Sequence, residues 1–129
     1  MKTHSSQNKL ILSPLCHTWI LDLDGTVLKH NGYRDEGEDT FLPGALSFLH
    51  GLPSEDMVIF LTSRTQDQQQ STVVFLAKHH IRYDHILFNA PYGERILVND
   101  RKPSGLPMAH AWNLKRDTFD LVYEIDSKL

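Results

Sequence analysis

Apolar positions in this chain come in short continuous runs separated by polar stretches with a helical period. Thr18-Trp19-Ile20-Leu21 runs directly into Asp22-Leu23-Asp24-Gly25-Thr26, and such an unalternated run predicts a strand covered on both faces. Met57-Val58-Ile59-Phe60-Leu61 repeats the pattern and ends in Thr62-Ser63-Arg64. Ile86-Leu87-Phe88 and Ile96-Leu97-Val98 are shorter runs of the same kind, parted by the turn signal Asn89-Ala90-Pro91-Tyr92-Gly93. The second of them ends in Asn99-Asp100. Ala109 to Trp112 predicts a last edge strand, and Trp19 and Trp112 both read as core. From Asp117 onward the pattern is ambiguous.

Helical periods fill the gaps. Pro43 to His50 places proline in a first turn, where a missing N–H costs nothing, with Ala45, Leu46 and Leu49 on one stripe and Gly51 and Pro53 as the stop. Thr65 to His80 predicts the next helix: Thr65 and Gln68 make a capping box, and Val73, Leu76, Ala77 and His80 share a face. Gln68-Gln69-Gln70 reads as a solvated face, and His79-His80 as partners of the terminal carbonyls rather than of a metal. Lys29 to Thr40, with Asn31-Gly32, Gly37 and the acids Asp35, Glu36, Glu38 and Asp39, reads as a loop or small hairpin with solvated charges. Leaving the edge where the strands end, it could also lie over a site there.

Strands alternating with helices of ten to fifteen residues imply crossover connections, hence an α/β fold: a three-layer, Rossmann-like sandwich with a mainly parallel central sheet. Asp22 and Asp24, Thr62 with Ser63 and Arg64, and Asn99 with Asp100 then meet at the carboxyl edge, where open α/β sheets bind ligands. Alternation with period two keeps Asp22 and Asp24 on one side of the chain, and paired carboxylates suit a hard divalent cation. An ordinary strand-to-turn junction also carries Asp-Gly, so the weight rests on the three strand ends together.

A length of 129 residues fits one domain, expected over residues 17–129 behind a flexible tail at residues 1–16. A net charge of −3, with Arg101-Lys102 and Lys115-Arg116 as the adjacent basic pairs, gives no general attraction to nucleic acid. One cysteine, Cys16, excludes an internal disulfide and fits a reducing, cytoplasmic setting. The first residues lack a signal-peptide pattern, and no stretch reaches the roughly 20 apolar residues of a membrane span. His4 with Cys16-His17 lacks the paired spacing of a zinc site.

The strand ends resemble the motifs of the haloacid dehalogenase-like (HAD) superfamily. Ile20-Leu21-Asp22-Leu23-Asp24-Gly25-Thr26 is similar to its first motif, the run ending in Thr62 to its second, and Ile96-Leu97-Val98-Asn99-Asp100 to its fourth. Phe41-Leu42-Pro43-Gly44-Ala45 is similar to the helix start that follows the first loop, so the likeness covers residues 18 to 116. Within the superfamily the chain looks most like small capless phosphatases associated with bacterial sugar and capsule pathways.

That resemblance implies a Mg²⁺-dependent phosphomonoester hydrolase acting through an aspartyl-phosphate, on a sugar phosphate or related metabolite. Asp22 would be the nucleophile and Asp24 the acid and then the base. Mg²⁺ would be held by the Asp22 side chain, the Asp24 carbonyl and Asp100, while the Thr62 hydroxyl and the Ser63 N–H would hold phosphoryl oxygens. Asp24 favours phosphoryl transfer over carbon–halogen cleavage, because a departing halide needs no proton. The sequence departs from the family twice. Asn89-Ala90-Pro91 stands where the third motif supplies Lys or Arg, which leaves Lys102 as first candidate, then Arg64 and Arg95; and Asp100 is a single acid where many relatives have two. No segment is long enough for a cap domain, so the resemblance implies an open site and either a large substrate or a homo-oligomer. The alternative is a weakly active or inactive module that binds a phosphorylated partner. A signalling receiver domain would carry its phosphorylated aspartate on a middle strand, an order this chain does not show.

Overall fold

The computed structural model describes residues 9–129. In chain order these form β1 (Lys9–Leu12), β2 (Thr18–Leu21), α1 (Gly32–Asp35), α2 (Ala45–His50), β3 (Met57–Leu61), a 3-10 turn (Gln66–Gln68) continuing into α3 (Gln69–Lys78), β4 (His85–Leu87) and β5 (Val122–Ile125). The fold is mixed α/β with parallel strands. They make two sheets, a three-stranded one in the order β2-β3-β4 and a two-stranded one of β1 with β5. Parallel neighbours need crossovers, supplied by α2 between β2 and β3 and by α3 between β3 and β4.

β3 lies at the centre of the larger sheet, with Phe60 opposite Leu21 on one side and Ile86 on the other. Phe60, Leu23, Val27, Leu28 and Leu76 are fully buried in one core that also takes Leu10 and Leu12 from β1 and Leu121 from beside β5. α3 starts as its sequence predicts: Thr65 and Gln68 close the capping box. Its buried stripe is Thr72 and Leu76, flanked by Phe75, whereas Ala77 and His80 are exposed. That corrects the expected face by one position. The His79 ring packs edge-on to Phe41 and tilted against Phe75 instead of capping carbonyls.

Three further expectations change. Lys9–Leu12, placed in the tail by its polar surroundings, is a strand whose parallel partner lies at the other end of the chain; residues 1–8, His4 among them, lie outside the described residues. Ile96-Leu97-Val98 forms no strand, and residues 91–100 are exposed throughout. Ala109 to Trp112 forms none either, and Trp112 lies on the surface.

Trp19 is buried as expected, and its indole Nε1–H donates to Asp56 Oδ2 at 3.0 Å while the His17 backbone N–H donates to Asp56 Oδ1 at 3.0 Å. Asp56 is 5% exposed, so removing its carboxyl strands buried donors at the entry to β2. Asp56→Ala should cost about 1–3 kcal/mol in urea unfolding, and Asp56→Asn less, because one oxygen acceptor remains.

Candidate active site

β2 and β3 run parallel in the register Thr18↔Met57 to Leu21↔Phe60, so the residues that follow them, Asp22 and Thr62, leave the same edge of the sheet. The chain then folds tightly on itself. The Leu23 carbonyl accepts from the N–H groups of Thr26, Val27 and Leu28, and the Gly25 N–H donates to the Leu28 carbonyl at 2.7 Å. Gly25 takes φ +85°, a conformation that strains any residue with a Cβ, and an added Cβ would also press on the Arg116 side chain at 3.2 Å. From the far end of the chain, the Asp117 N–H donates to the Gly25 carbonyl at 2.8 Å and its Oδ1 accepts the His30 N–H at 2.7 Å, pinning the loop in place.

Asp22 is half-buried at the start of this loop. Thr26 Oγ1 donates to its Oδ2 at 3.1 Å, and Arg95 Nη1 lies 3.7 Å from its Oδ1. Burial pushes the Asp22 carboxyl above the usual carboxylate range; Arg95, Thr26 and the Leu23 backbone N–H pull the other way without cancelling the rise. Arg95 also reaches Ser63, with Nη2 3.4 Å from its Oγ, and Ser63 Oγ in turn lies 3.4 Å from the Pro91 carbonyl. One guanidinium therefore touches both the first and the second strand end. Of the three candidate cations Arg95, placed with Arg64 behind Lys102 by sequence, is the one beside Asp22.

Arg64 does something else. Its Nε and Nη2 donate to Asp24 Oδ2 and Oδ1 at 2.9 and 2.7 Å, its Nη2 and Nη1 donate to Asp39 Oδ1 and Oδ2 at 2.8 and 3.1 Å, and Nη1 donates to Thr72 Oγ1 at 2.9 Å. Those bonds use all five guanidinium protons, so Arg64 has none left for a phosphate, contrary to the sequence expectation. The Tyr33 ring stands 4.9 Å from its central carbon. Burial opposes the charge, but the two carboxylates outweigh it and hold the group more firmly cationic than a free arginine. Asp39, read as solvated, is a buried partner. The available signal was Arg64 itself: an arginine beside an apolar strand needs carboxylates, and the acidic loop offers four.

The Thr62 hydroxyl accepts the Arg64 backbone N–H at 3.0 Å and the residue is 1% exposed. Ser63 is half-buried beside it. Lys102 is exposed in a turn closed by its own N–H to the Leu106 carbonyl, and Asp100 is exposed just before it. Among the described residues there is no group of three or more His, Cys, Asp or Glu side chains placed to hold a metal. Mg²⁺ needs only one or two carboxylates when phosphate and water complete its octahedron. By donor chemistry the Asp22 carboxyl and the Asp24 carbonyl fit that smaller set.

Among the described residues no helix is long and apolar enough to cross a membrane. No family model, curated protein or solved structure matches the chain.

Proposed function

We propose that the chain is a Mg²⁺-dependent phosphomonoesterase of the HAD-like, Rossmann-like type, acting from the β2 and β3 edge on a small phosphorylated substrate such as a sugar phosphate. The observation that carries this reading is Arg95, which bridges Asp22 and Ser63 and so puts a cation beside a desolvated carboxylate. A phosphate ester repels a carboxylate nucleophile; Arg95 screens that repulsion with N–H groups directed at the same space. Mg²⁺, held by the Asp22 carboxyl and the Asp24 carbonyl, would add charge neutralisation and orient the ester.

Asp22 Oδ attacks phosphorus, an Asp–O–P bond forms, and the bond from phosphorus to the ester oxygen breaks. Asp24 passes a proton to the departing oxygen, one of its two oxygens leaving Arg64 to carry it. As a carboxylate it then removes a proton from water, whose oxygen attacks phosphorus and returns Asp22 to its free form. Ser63 and Arg95 hold phosphoryl oxygens throughout.

The second reading is a module that binds a phosphorylated partner with little turnover. It is favoured by Arg64, which occupies both Asp24 oxygens. Phosphate release from an aryl phosphate, with Mg²⁺ or with EDTA, separates the two. The first reading expects release in Mg²⁺ that EDTA stops, and the second expects binding of the ester without release. The same assay ranks the cations: Arg95→Ala should raise KM about tenfold, whereas Lys102→Ala should stay within about twofold of the parent.

A further inference from the structure

Arg64 makes no contact that a phosphate could share, yet it is the most heavily bonded side chain at the site. Its side chain is 3% exposed, and its partners come from four segments: Asp24 after β2, Tyr33 in α1, Asp39 from the loop before α2, and Thr72 in α3. The Asp24 side chain is 21% exposed and that of Asp39 8%, so Asp24 is the more open of the two carboxylates and Asp39 the more enclosed.

We propose that Arg64 is a positioning residue of this site, gripping both Asp24 oxygens and itself fixed by Asp39, so that the acidic loop sets the angle of Asp24. This rests on the phosphomonoesterase reading above. A carboxylate on a short side chain beside a glycine turn has free rotation about its own bonds; two parallel N–H bonds from a planar fork remove it. The fork is in turn unable to swing, because Asp39 and Thr72 hold its far edge and Tyr33 stands over it. Placement of an acid or base to a fraction of an ångström governs its rate contribution, whereas substrate affinity depends on groups that touch the phosphate. Loss of the grip should therefore lower kcat and leave KM in place.

The test compares kcat and KM for an aryl phosphate in Mg²⁺ among the parent, Arg64→Lys and Asp39→Asn, at a temperature where circular dichroism shows each folded. Lysine keeps the charge but not the fork, and Asp39→Asn leaves the Arg64 contact to Asp24 in place while loosening its far side. Arg64→Lys should lose about 10–100-fold in kcat and Asp39→Asn a smaller factor in the same direction, both with KM within about threefold. Guanidinium ion at tens of millimolar should restore part of the activity of Arg64→Ala. Parental kcat in Arg64→Lys and Asp39→Asn overturns the proposal, and so does a loss confined to KM, which would assign Arg64 to the substrate. Where Arg64→Lys does not fold, Asp39→Asn decides alone. A parent that releases no phosphate fails the functional reading itself and takes this proposal with it, an outcome visible before any variant is made.

Discussion

Asp22→Asn should abolish Mg²⁺-dependent phosphate release, by on the order of a thousandfold or more, while raising the melting temperature at neutral pH. The first half follows from chemistry: an amide oxygen cannot form the ester to phosphorus. The second follows from the environment of Asp22. Burial lifts its folded-state carboxyl above the ordinary value, so the folded protein binds that proton more tightly than the unfolded chain does. The stabilising contribution of Asp22 is then complete at low pH and is lost as pH rises through the raised folded value, which makes the carboxylate a net cost at neutral pH. Asparagine removes that cost and can still accept the Thr26 hydrogen bond. The partner left behind, Arg95, is substantially exposed and loses little. Melting curves in EDTA at about pH 5 and pH 7.5 should show the gain at the higher pH. Equal activity loss and destabilisation at both would mean that Asp22 is a packing residue.

Phe60→Ala should cost about 3–5 kcal/mol, a large part of the stability expected for one domain, whereas Ile96→Ala should change it by less than about 0.5 kcal/mol. Phe60 is fully buried in the central strand and its ring lies 5.9 Å from that of Tyr83. Truncation there leaves a cavity on one face of the sheet, whose strands are hydrogen-bonded in register and do not move in to fill it. Ile96 is 83% exposed. From sequence alone both belong to apolar runs of a covered strand, and both truncations should then cost several kcal/mol. Urea unfolding of the pair separates the structure from the sequence pattern, and a large loss for Ile96→Ala would return that segment to a packed sheet.

The contrast between those runs shows what the pattern could and could not convey. β2, β3 and β4 were legible because each continuous apolar run has a hydrogen-bonded neighbour, and the start of α3 was legible because its cap is local to Thr65 and Gln68. Hydrophobicity alone does not supply a partner. β1 is not legible locally because its stability comes from β5, more than a hundred residues away, and Ile96-Leu97-Val98 has the pattern of a strand with no partner to pair with among the described residues. At the site, Asp22, Asp24 and Thr62 could be placed because they end adjacent strands. Arg64 could not, because its role depends on Asp39, which reaches it from a loop without periodicity. Arg95 was undervalued for a similar reason: its distance to Asp22 is set by the turn after Asn89, not by spacing.

The most direct test is to find the phosphoryl group on the protein. Acid-quenching the chain during turnover of an aryl phosphate in Mg²⁺, with Asp24→Asn to slow breakdown, and mapping the product by peptide mass should place one hydroxylamine-labile phosphoryl group on Asp22. No covalent phosphate, or phosphate on a different residue, would contradict a phosphatase built on Asp22.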